Sequence, residues 1–525
     1  MRKILTILLA LILTTFMIGC TDFLNTTPNK SGSAYIYHMD QLYGLTGNTD
    51  LFIRNCYPWA DLIFRGDGVE YHPYYIITFG TSGDVYDVWS WKDDYLSTGN
   101  LLSATWTPSY NAIYTYNTVL ENLDNVIQTT EAKHKQVEGE ALFGRAYFHF
   151  MLLVPYCLWD DEAPGIGYKD DTSPTSIPAR ETVKYTVDKI LADLDNAEKL
   201  LAEAGRDQFE IARNFRPTVP AVKAFRARVY LYRGKYAEAL KDAQDALAGY
   251  SVLHNPSTDP LYAITETNIN LLNQGNTQVV GQIKYRIPAA LIGKGVEALW
   301  KHPEFYTPGY SDTYYGYRTL PISQSYYDLF TDKNNDLRWD IYYNNNYIIY
   351  SAFAKTLILP GQSTATPLCF KWEDQQGLPV ANRHAYIRFV FSSAISTKQY
   401  PLGTTTAEMY LIKAECLARA GKTSEAADAL KTLRRSRFKT QAAADAIGGT
   451  LKDALDERAR EMTELWRFFD IKRLNGADNA NIKITRTVLT NPSDINSATT
   501  LVIEPNDPRW AIPINAQQLI LMGWE

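Results

Sequence analysis

The chain has 525 residues, of which 46% are hydrophobic, and a formal net charge of -6. This composition provides a large hydrophobic core, and the acidic balance argues against a nucleic-acid-binding surface. The 36 tyrosines and 11 tryptophans exceed ordinary usage and favour a recognition surface, because both side chains combine an apolar body with a polar edge.

The N-terminus has the pattern of an exported lipoprotein. Arg2 and Lys3 form a charged start, and residues 4–18 form an apolar run that is short for a membrane span and typical of a signal peptide. The run closes in a Met-Ile-Gly-Cys sequence that resembles a bacterial lipobox. We therefore predict that residues 1–19 are a signal peptide and that Cys20 carries lipid, which anchors the protein to a membrane without crossing it.

Aromatic residues are concentrated in residues 71–116, which hold about twelve of them. Trp89 and Trp91 lie two positions apart in this segment, so an extended backbone would place both indoles on one face. Two rings presented in this way would suit the apolar face of a sugar, and both are predicted ligand-binding residues.

Five helices are predicted in the first half of the chain, because apolar residues recur there at helical spacing. They cover residues 106–127, 137–154, 181–204, 217–233 and 236–250. The second is apolar almost all round and is predicted to be buried. Charged residues, Asp193 among them, are predicted to line the solvent side of the third.

The last two of these helices form a predicted hairpin with the character of a tetratricopeptide repeat. Gly234 occupies the turn, and Ala239, Ala243 and Ala246 in the following helix allow a neighbouring helix to approach closely. A single hairpin cannot bury its own apolar face, so further pairs are expected to stack on it.

Residues 251–404 are rich in Tyr, Asn, Pro and Gly and predict loops and short strands. Within them, residues 300–350 hold about fifteen aromatic residues interleaved with Asp, Asn and Arg. Aromatic planes suit the C–H faces of a pyranose, and the polar residues suit its hydroxyl groups. Tyr314, Tyr317 and Trp339 are therefore added to the predicted ligand-binding residues.

One segment of this region has the spacing of a calcium loop. Asp332, Asn334 and Asp336 match the first three ligands, but Leu337 stands where the loop requires glycine and Tyr343 where it requires glutamate. A hydrogen-bonded turn is predicted instead. The seven histidines show no metal-ligand spacing, and no metal site is predicted.

Three further helices are predicted at residues 407–420, 424–437 and 451–475. In the last one, Glu461 and Glu464 are neighbours on one face. Glycoside hydrolysis needs two carboxyls on opposite sides of the scissile bond, so the alternating charges favour an ion-pair lattice over a catalytic pair. No nucleophile elbow, phosphate loop or dinucleotide fingerprint is present, and no catalytic residue or cofactor is predicted.

The cysteines beyond Cys20 show no zinc-ligand spacing. Cys416 lies on an apolar helix face and is predicted to be a small buried hydrophobe. An exported chain can form disulfides, but the sequence assigns no pairing among the four remaining cysteines, which are Cys56, Cys157, Cys369 and Cys416.

The predicted fold is mostly α, with about four tetratricopeptide-repeat-like helical pairs and an irregular, loop-rich lobe that carries short strands. The mature domain covers residues 20–525. Its helical lobe is predicted at residues 106–250 and 405–476, and its irregular, ligand-side lobe at residues 28–105, 251–404 and 477–525.

Four stretches, in one order along the chain, indicate a family. They read CTDFL from residue 20, E-x-x-x-x-RAYF from residue 140, AEMYLIKAE from residue 407, and DERARE from residue 456 followed by RFFDIKR; RWAIPI from residue 509 matches the usual ending. In these stretches the chain resembles the SusD/RagB family of outer-membrane nutrient-binding lipoproteins of Bacteroidetes-type bacteria. Residues 462–466 depart from the family's more apolar pattern, which affects local packing.

The resemblance implies a non-catalytic protein of the cell surface, lipid-anchored in the outer membrane, that captures oligosaccharides and delivers them to a SusC-type TonB-dependent transporter. Peptide capture, as in RagB-like members, is the alternative within the family, and a surface glycoside hydrolase is the alternative outside it. The family shares no ligand motif that transfers to this chain, so the five aromatic residues rest on composition. The identity of the glycan and the stoichiometry with the transporter stay open.

Overall fold

The computed structural model describes most of the predicted helical lobe and shorter pieces of the rest of the chain. Of the residues singled out above, Cys20, Cys56, Tyr314, Tyr317 and Glu464 lie outside the described residues. The described residues are 36–48, 51, 62–70, 88–92, 100–127, 129–210, 213–258, 297–300, 322–345, 347–349, 369–371, 384–386, 403–462, 466–491 and 494–524.

Six helices precede residue 250 in the described part of the chain. All five helices predicted there are present. The first and the second each begin six residues earlier than predicted, and the other three start within a few residues of the predicted position. The six are α1 (Met39–Thr46), α2 (Asn100–Asn122), α3 (Glu131–Tyr156), α4 (Val183–Glu203), α5 (Val219–Tyr232) and α6 (Tyr236–Gly249).

Eight further helices follow within the described ranges. Four of them are short helices that the sequence did not predict, and the others belong to the late helical segment. They are α7 (Gln324–Leu329), α8 (Leu337–Tyr342), α9 (Thr406–Arg419), α10 (Thr423–Arg434), α11 (Gln441–Asp445), α12 (Leu451–Glu461), α13 (Trp466–Asp478) and α14 (Ala516–Met522).

The described strands are short and pair antiparallel in twos. β1 (Ala298–Trp300) pairs with β6 (Thr404–Thr405), and the longest pair joins β7 (Ile484–Leu489) to β8 (Ala498–Ile503). The other pairs are β2 (Tyr343–Asn345) with β5 (His384–Tyr386), and β3 (Tyr347–Ile349) with β4 (Cys369–Lys371). The predicted class, mostly α with short strands in the irregular segments, is confirmed.

Helix α3 forms the centre of the main core. Thr130 caps its start by accepting a hydrogen bond from the Lys133 backbone N–H at 3.1 Å, and nearly every residue from Val137 to Tyr156 is buried. Helices α2 and α4 pack on either side of it. The prediction that this all-apolar helix is buried is confirmed, because a helix without a polar face must be covered on all sides.

Two tight turns give the helical pairs their repeat geometry. Gly234 joins α5 to α6 with a φ of 70°, and Gly421 joins α9 to α10 with a φ of 75°. Both values lie in the left-handed region, where a side chain other than glycine is strained. The hairpins predicted around these two glycines are confirmed.

Small side chains hold the two hairpins together. Ala239, Ala243 and Ala246 of α6 are fully buried against α9, where they form a separate apolar cluster with Met409 and Cys416. The close approach predicted from the alanines is therefore confirmed. Cys416 is a buried free thiol, as predicted, and burial raises its pKa to about 12.

Asp193 is not on the solvent side of α4, and this prediction is wrong. Only 6% of the residue is exposed, and its two carboxylate oxygens each accept a 2.7 Å hydrogen bond from Arg145 of α3. Helical periodicity separates apolar from polar positions, but it does not show that a polar residue has a buried partner of opposite charge.

The late helix predicted over residues 451–475 is instead two helices, α12 and α13. Met462 ends α12 with a non-helical backbone, and α13 starts at Trp466. The break brings Arg458 within 2.8 Å of Asp470. In one continuous helix these residues would be about 18 Å apart along the axis, so the buried ion pair requires the interruption.

No helix among the described residues is long and apolar enough to cross a membrane.

Candidate functional site

Trp89 and Trp91 are both part of the hydrophobic core. Trp89 is fully buried, donates from Nε1 to the Val69 carbonyl at 3.2 Å, and lies under the Arg486 guanidinium at 5.1 Å. Trp91 is 1% exposed and meets the Trp510 ring edge-on at a centroid distance of 5.1 Å. The two rings therefore do not form the exposed stacking surface that the sequence predicted.

The backbone explains why the prediction failed for this pair. The prediction requires an extended backbone, but Trp89 ends a helical turn and Trp91 adopts a φ of 56°. The left-handed conformation at Trp91 turns the chain sharply, and both indoles enter the core.

Trp339 is also a core residue, with 4% of its surface exposed. Its ring lies 5.4 Å from Tyr327 and 5.2 Å from Phe330, measured between centroids. The expectation of a ligand-facing ring is corrected here as well. Tyr314 and Tyr317 lie outside the described residues and stay predictions.

The charged residues of the family-like stretches form a buried ion-pair network. Glu457 of α12 lies between Arg338 at 2.8 Å, Arg434 at 2.9 Å and Arg460 at 2.7 Å. Burial alone would raise the pKa of Glu457, but these three guanidinium groups lower it well below its usual value. The carboxylate is therefore ionised at any physiological pH.

Glu461 extends the same network from the next turn of α12. Arg338 contacts it at 2.9 Å and Arg437 at 2.8 Å. Arg437 also binds the carboxylate of Glu297 at 2.8 Å and donates to the carbonyl of His254 at 2.6 Å. One buried arginine thus connects α12 to two segments that are far from it in sequence.

A second run of alternating charges crosses α5, α9, α12 and α13. The nitrogen–oxygen distances between neighbouring side chains are 2.6 to 2.9 Å, with one longer contact of 3.9 Å between Arg458 and Glu408. In order the run is Arg228, Glu408, Arg458, Asp470, Arg473, Glu415 and Arg419.

This geometry confirms the ion-pair interpretation of the late helix. A glycosidase needs one carboxylic acid that is protonated near neutral pH to donate to the leaving group. Burial would raise the pKa of Glu415, but Arg473 and Arg419 outweigh it and hold the pKa at about 2. The pKa values of Glu415, Glu457 and Glu461 are thus all lowered by arginine partners, which suits a structural role and not that of a general acid.

The predicted turn at residues 332–336 is confirmed. The backbone N–H groups of Asn335 and Asp336 donate to the Asp332 carbonyl, and the Asn335 side chain donates to the Asp332 carboxylate. Asp336 is engaged by Arg338 at 2.7 Å. Across the described part of the chain, no three His, Cys, Asp or Glu side chains are grouped closely enough to hold a metal ion.

His149 is a buried neutral histidine of the core. Its Nδ1 lies 2.8 Å from the Arg145 carbonyl, and its Nε2 accepts the Lys169 N–H at 3.0 Å. These contacts assign the proton to Nδ1. Burial lowers the pKa of this imidazole to about 3, so the ring stays neutral and structural.

A cleft of about 550 Å³ opens beside the network, and we call it the α10–α11 cleft. Its apolar lining residues are Leu337 and Phe438, which are both buried, with 4% and 7% of their surface exposed. Its rim consists of polar side chains, which are Asn255, Ser257, Arg435, Lys439 and Gln441. Two of the seven lining residues are apolar and five are polar, so the cleft is more polar than the usual small-ligand site, which is lined mainly by hydrophobic and aromatic side chains.

The walls of the α10–α11 cleft are fixed to one another by hydrogen bonds. Leu337 N–H donates to the Arg437 carbonyl at 2.9 Å, and Lys439 N–H donates to the Asn335 carbonyl at 2.9 Å. The third wall, at residues 254–257, is held by the bond from Arg437 to the His254 carbonyl. The walls of the cleft are therefore held by two backbone hydrogen bonds and by the side chain of Arg437.

The sequence reasoning did not predict this cleft. The signal available was the basic run Arg434-Arg435-Ser436-Arg437-Phe438-Lys439 at the end of a predicted helix. That run mixes two roles, because Arg434 and Arg437 are buried in the network while Arg435 and Lys439 are exposed on the rim. Sequence alone does not separate the two.

Comparison with protein families gives two matches. Residues 74–231 match the SusD-like family described as starch-binding and associating with the outer membrane, and residues 293–519 match the SusD family itself. Together the two matches span most of the chain. A search of the curated proteins found no match.

Three of the solved structures with the same fold come from Bacteroides species. A SusD superfamily protein from Bacteroides thetaiotaomicron is 20% identical with a TM-score of 0.61, over 92% of this chain and 98% of that one. A surface glycan-binding protein A from Bacteroides uniformis is 16% identical with a TM-score of 0.59, over 92% and 97%. A SusD-like carbohydrate-binding protein from Bacteroides vulgatus is 15% identical with a TM-score of 0.57, over 93% and 97%. At these identities the likeness establishes the fold.

Proposed function

Since the chain belongs to the SusD/RagB family, we propose that it captures oligosaccharides at the cell surface and delivers them to a SusC-type TonB-dependent transporter in the outer membrane. The observation that carries this proposal is the pair of family matches, one of which is described as starch-binding and associating with the outer membrane. Two of the structures with the same fold are named as carbohydrate- or glycan-binding proteins.

The buried chemistry of the chain supports a binding protein over a hydrolase. Of the two glutamates weighed as a catalytic pair, Glu461 belongs to the arginine network and Glu464 lies outside the described residues. Burial would raise the pKa of Glu461, but Arg437 and Arg338 outweigh it and hold the pKa below its usual value. A general acid for glycoside hydrolysis needs a raised pKa instead.

Attachment through Cys20 is the membrane part of the proposal. A single acyl chain gives only marginal binding, and several chains on one cysteine make detachment negligible. We expect Cys20→Ala to release the protein from membranes into the soluble fraction. Sedimentation of the variant with membranes, together with incorporation of labelled palmitate, would contradict this.

The ligand class is tested by binding the purified protein to an array of glycans and peptides. We expect glycans to bind and no new reducing ends to appear when soluble oligosaccharides are incubated with the protein. Binding of peptides alone would instead favour the RagB-like alternative, and release of reducing ends would favour a hydrolase.

The remaining predicted aromatic residues are tested with the same array. We expect Tyr314→Ala and Tyr317→Ala to weaken glycan binding by roughly thirtyfold, the usual cost of about 2 kcal/mol for truncating a central aromatic contact. Trp91→Ala is the control for a core aromatic residue, and it should lower the melting temperature. Wild-type affinity in both tyrosine variants would remove them from the site.

A further inference from the structure

The hairpin of β7 and β8 leaves one edge of its backbone open. Among the described strands β8 pairs only with β7, one residue opposite one residue along its whole length. The N–H of Thr490, just beyond β7, donates to the Ser497 carbonyl at 3.2 Å. Because hydrogen-bonded pairs alternate along an antiparallel ladder, the backbone groups of every second residue in β8 face away from β7. These residues are Ala498, Thr500 and Val502.

The outward edge of β8 is available to a partner. Within the described part of the chain, no hydrogen bond reaches the N–H and C=O groups on this edge. The side chains beside them are exposed, and 39% of the surface of Val502 is accessible. Donors and acceptors at alternate positions of an extended backbone match those of another extended backbone, so the edge fits a further β-strand.

The sequence of β8 lacks the features that normally protect an open edge. Such edges are blunted by charged side chains, by proline or by a β-bulge, each of which hinders pairing with another strand. β8 reads Ala-Thr-Thr-Leu-Val-Ile, without charge or proline, and its register with β7 is continuous. Four of these six residues are β-branched, which favours a strand. The edge is therefore suited to pairing.

The outward groups are arranged symmetrically about Thr500, so the edge is complementary to itself. In an antiparallel pairing of two copies, Thr500 faces the same residue of the second copy, and Ala498 faces Val502 on either side of it. Each of these three pairs can exchange two N–H···O bonds. Pairs of threonines contribute favourably across a sheet, whereas like charges directly opposite are destabilising.

No charged side chain opposes this self-pairing within the strand. The nearest charges along the chain are Asp494 and Glu504, which both lie outside the paired residues. Glu504 already pairs with Lys483 at 2.8 Å, so its charge is balanced on its own hairpin. A symmetric register without like charges favours a second copy of this chain as the occupant of the edge.

We propose that the open edge of β8 pairs antiparallel with the same edge of a second copy, which joins two hairpins into one four-stranded sheet about a two-fold axis at Thr500. The paired segment of six residues is small beside a standard interface of about 1,600 Å², so dilute free monomers stay apart. Anchoring at Cys20, the part of the proposed function on which this inference rests, confines the copies to one membrane and raises their effective concentration. Two binding proteins held side by side then engage one long glycan at two places.

The first test is crosslinking of Thr500→Cys in the full-length lipoprotein in its own membranes. Thr487→Cys is the matched control, because Thr487 is the exposed cross-strand neighbour of Thr500 on β7. Facing Cα atoms at position 500 would lie about 5.5 Å apart, and those at position 487 about 14 Å apart, or three strand spacings. A bismaleimide too short for the longer span should give at least about tenfold more dimer with Thr500→Cys.

The second test is hydrogen exchange of the Thr500 and Val502 amides in phosphatidylcholine vesicles. We expect exchange in the wild type to be at least about tenfold slower than in dilute Cys20→Ala protein, because pairing protects these amides. Thr500→Lys places like charges opposite each other and should abolish the protection. Thr487→Lys puts the same charge on the same hairpin away from the edge, and it should exchange like the wild type. Equal melting temperatures in both lysine variants establish that the hairpin is intact.

Equal amounts of dimer from the two cysteine variants would overturn the inference, as would protection that survives Thr500→Lys. A crosslinked product that contains a different protein would overturn it by assigning the edge to a strand of that protein. Wild-type protein that does not sediment with membranes contradicts the proposed anchoring itself. Protein that sediments with membranes but gives no dimer leaves the proposed function standing and removes only this inference.

Discussion

Glu457 shows what the buried charges of this chain do at the scale of single residues. The carboxylate is fully buried and would be unfavourable there alone, since an ion loses its hydration in the interior. Arg338, Arg434 and Arg460 replace the lost water with direct ion pairs. The pairs stabilise the fold only while every member is present, because any deletion leaves an excess of buried charge.

Glu457→Gln should therefore be strongly destabilising. The change leaves three guanidinium groups without their shared anion, and breaking a buried pair typically costs about 3–5 kcal/mol. Glu425→Gln is the control, because Glu425 pairs with Lys422 at 3.3 Å on the surface and both side chains are 55% exposed. Such a pair contributes about 0–1 kcal/mol. Equal urea midpoints for the two variants would contradict the account.

Lys472 gives the fold a dependence on pH. It is 3% exposed and donates to the carbonyls of Val154 and Cys157 at the end of α3, with no carboxylate partner among the described residues. Burial lowers its pKa from 10.5 to about 7, and Arg65 and Arg233 add to this effect. The folded protein therefore releases this proton at a lower pH than the unfolded chain does.

The sign of the effect follows from linkage. Between pH 7 and pH 10.5 the unfolded chain holds the proton and the folded protein does not, so this residue raises stability as pH rises. Below pH 7 the buried charge opposes folding by its full amount. We expect the melting temperature of the wild type relative to Lys472→Met to rise from pH 6.5 to pH 9. A difference that stays constant with pH would refute the assignment.

At the scale of elements, hydrophobic periodicity predicted the repeat helices because the sequence of each helix by itself shows which of its faces is buried. Helix α3 is apolar on all sides and α5 carries a repeating apolar face. In each helix the spacing of the apolar residues therefore predicts which positions are buried. Gly234 and Gly421 mark their turns for the same local reason. The break between α12 and α13 is different, since it serves the contact of Arg458 with Asp470 in three dimensions.

The candidate site was less predictable than the fold. The network and the α10–α11 cleft join segments near residues 255, 297, 337, 437 and 461, and no short pattern in the sequence shows that these segments meet. Aromatic composition was equally ambiguous, because a tryptophan that fills a core and one that faces a ligand have the same sequence signature.

Packing between α2 and α3 rests on one glycine. A Cβ added to Gly144 would lie 2.2 Å from the ring of Tyr116, which is buried and cannot withdraw. Gly144→Ala should therefore destabilise the protein by about 1–3 kcal/mol through overpacking. Gly44→Ala in α1 is the control: nothing lies within 4 Å, so the change should stabilise by about 0.5–1 kcal/mol. Denaturation midpoints that move in the same direction would contradict this argument.

At the scale of the whole molecule, the described helices form a larger scaffold than a cleft of about 550 Å³ requires. Stacked helical repeats typically offer an extended surface to another protein. The helical lobe and irregular lobe, whose boundaries stay a prediction, would then divide the work between docking and ligand capture. A ligand held at the cell surface is useful to the cell only if a transporter receives it.

The last prediction tests that partner. Purification of the tagged protein from its own membranes in mild detergent should recover a SusC-type transporter, a large barrel with a plugged lumen, in near-equal amount. An unrelated outer-membrane lipoprotein with the same tag is the control for trapping in detergent micelles, and it should recover none. The proposal fails if the protein is recovered alone and a strain without any such transporter still takes up the ligand fully, because capture and transport would then be independent.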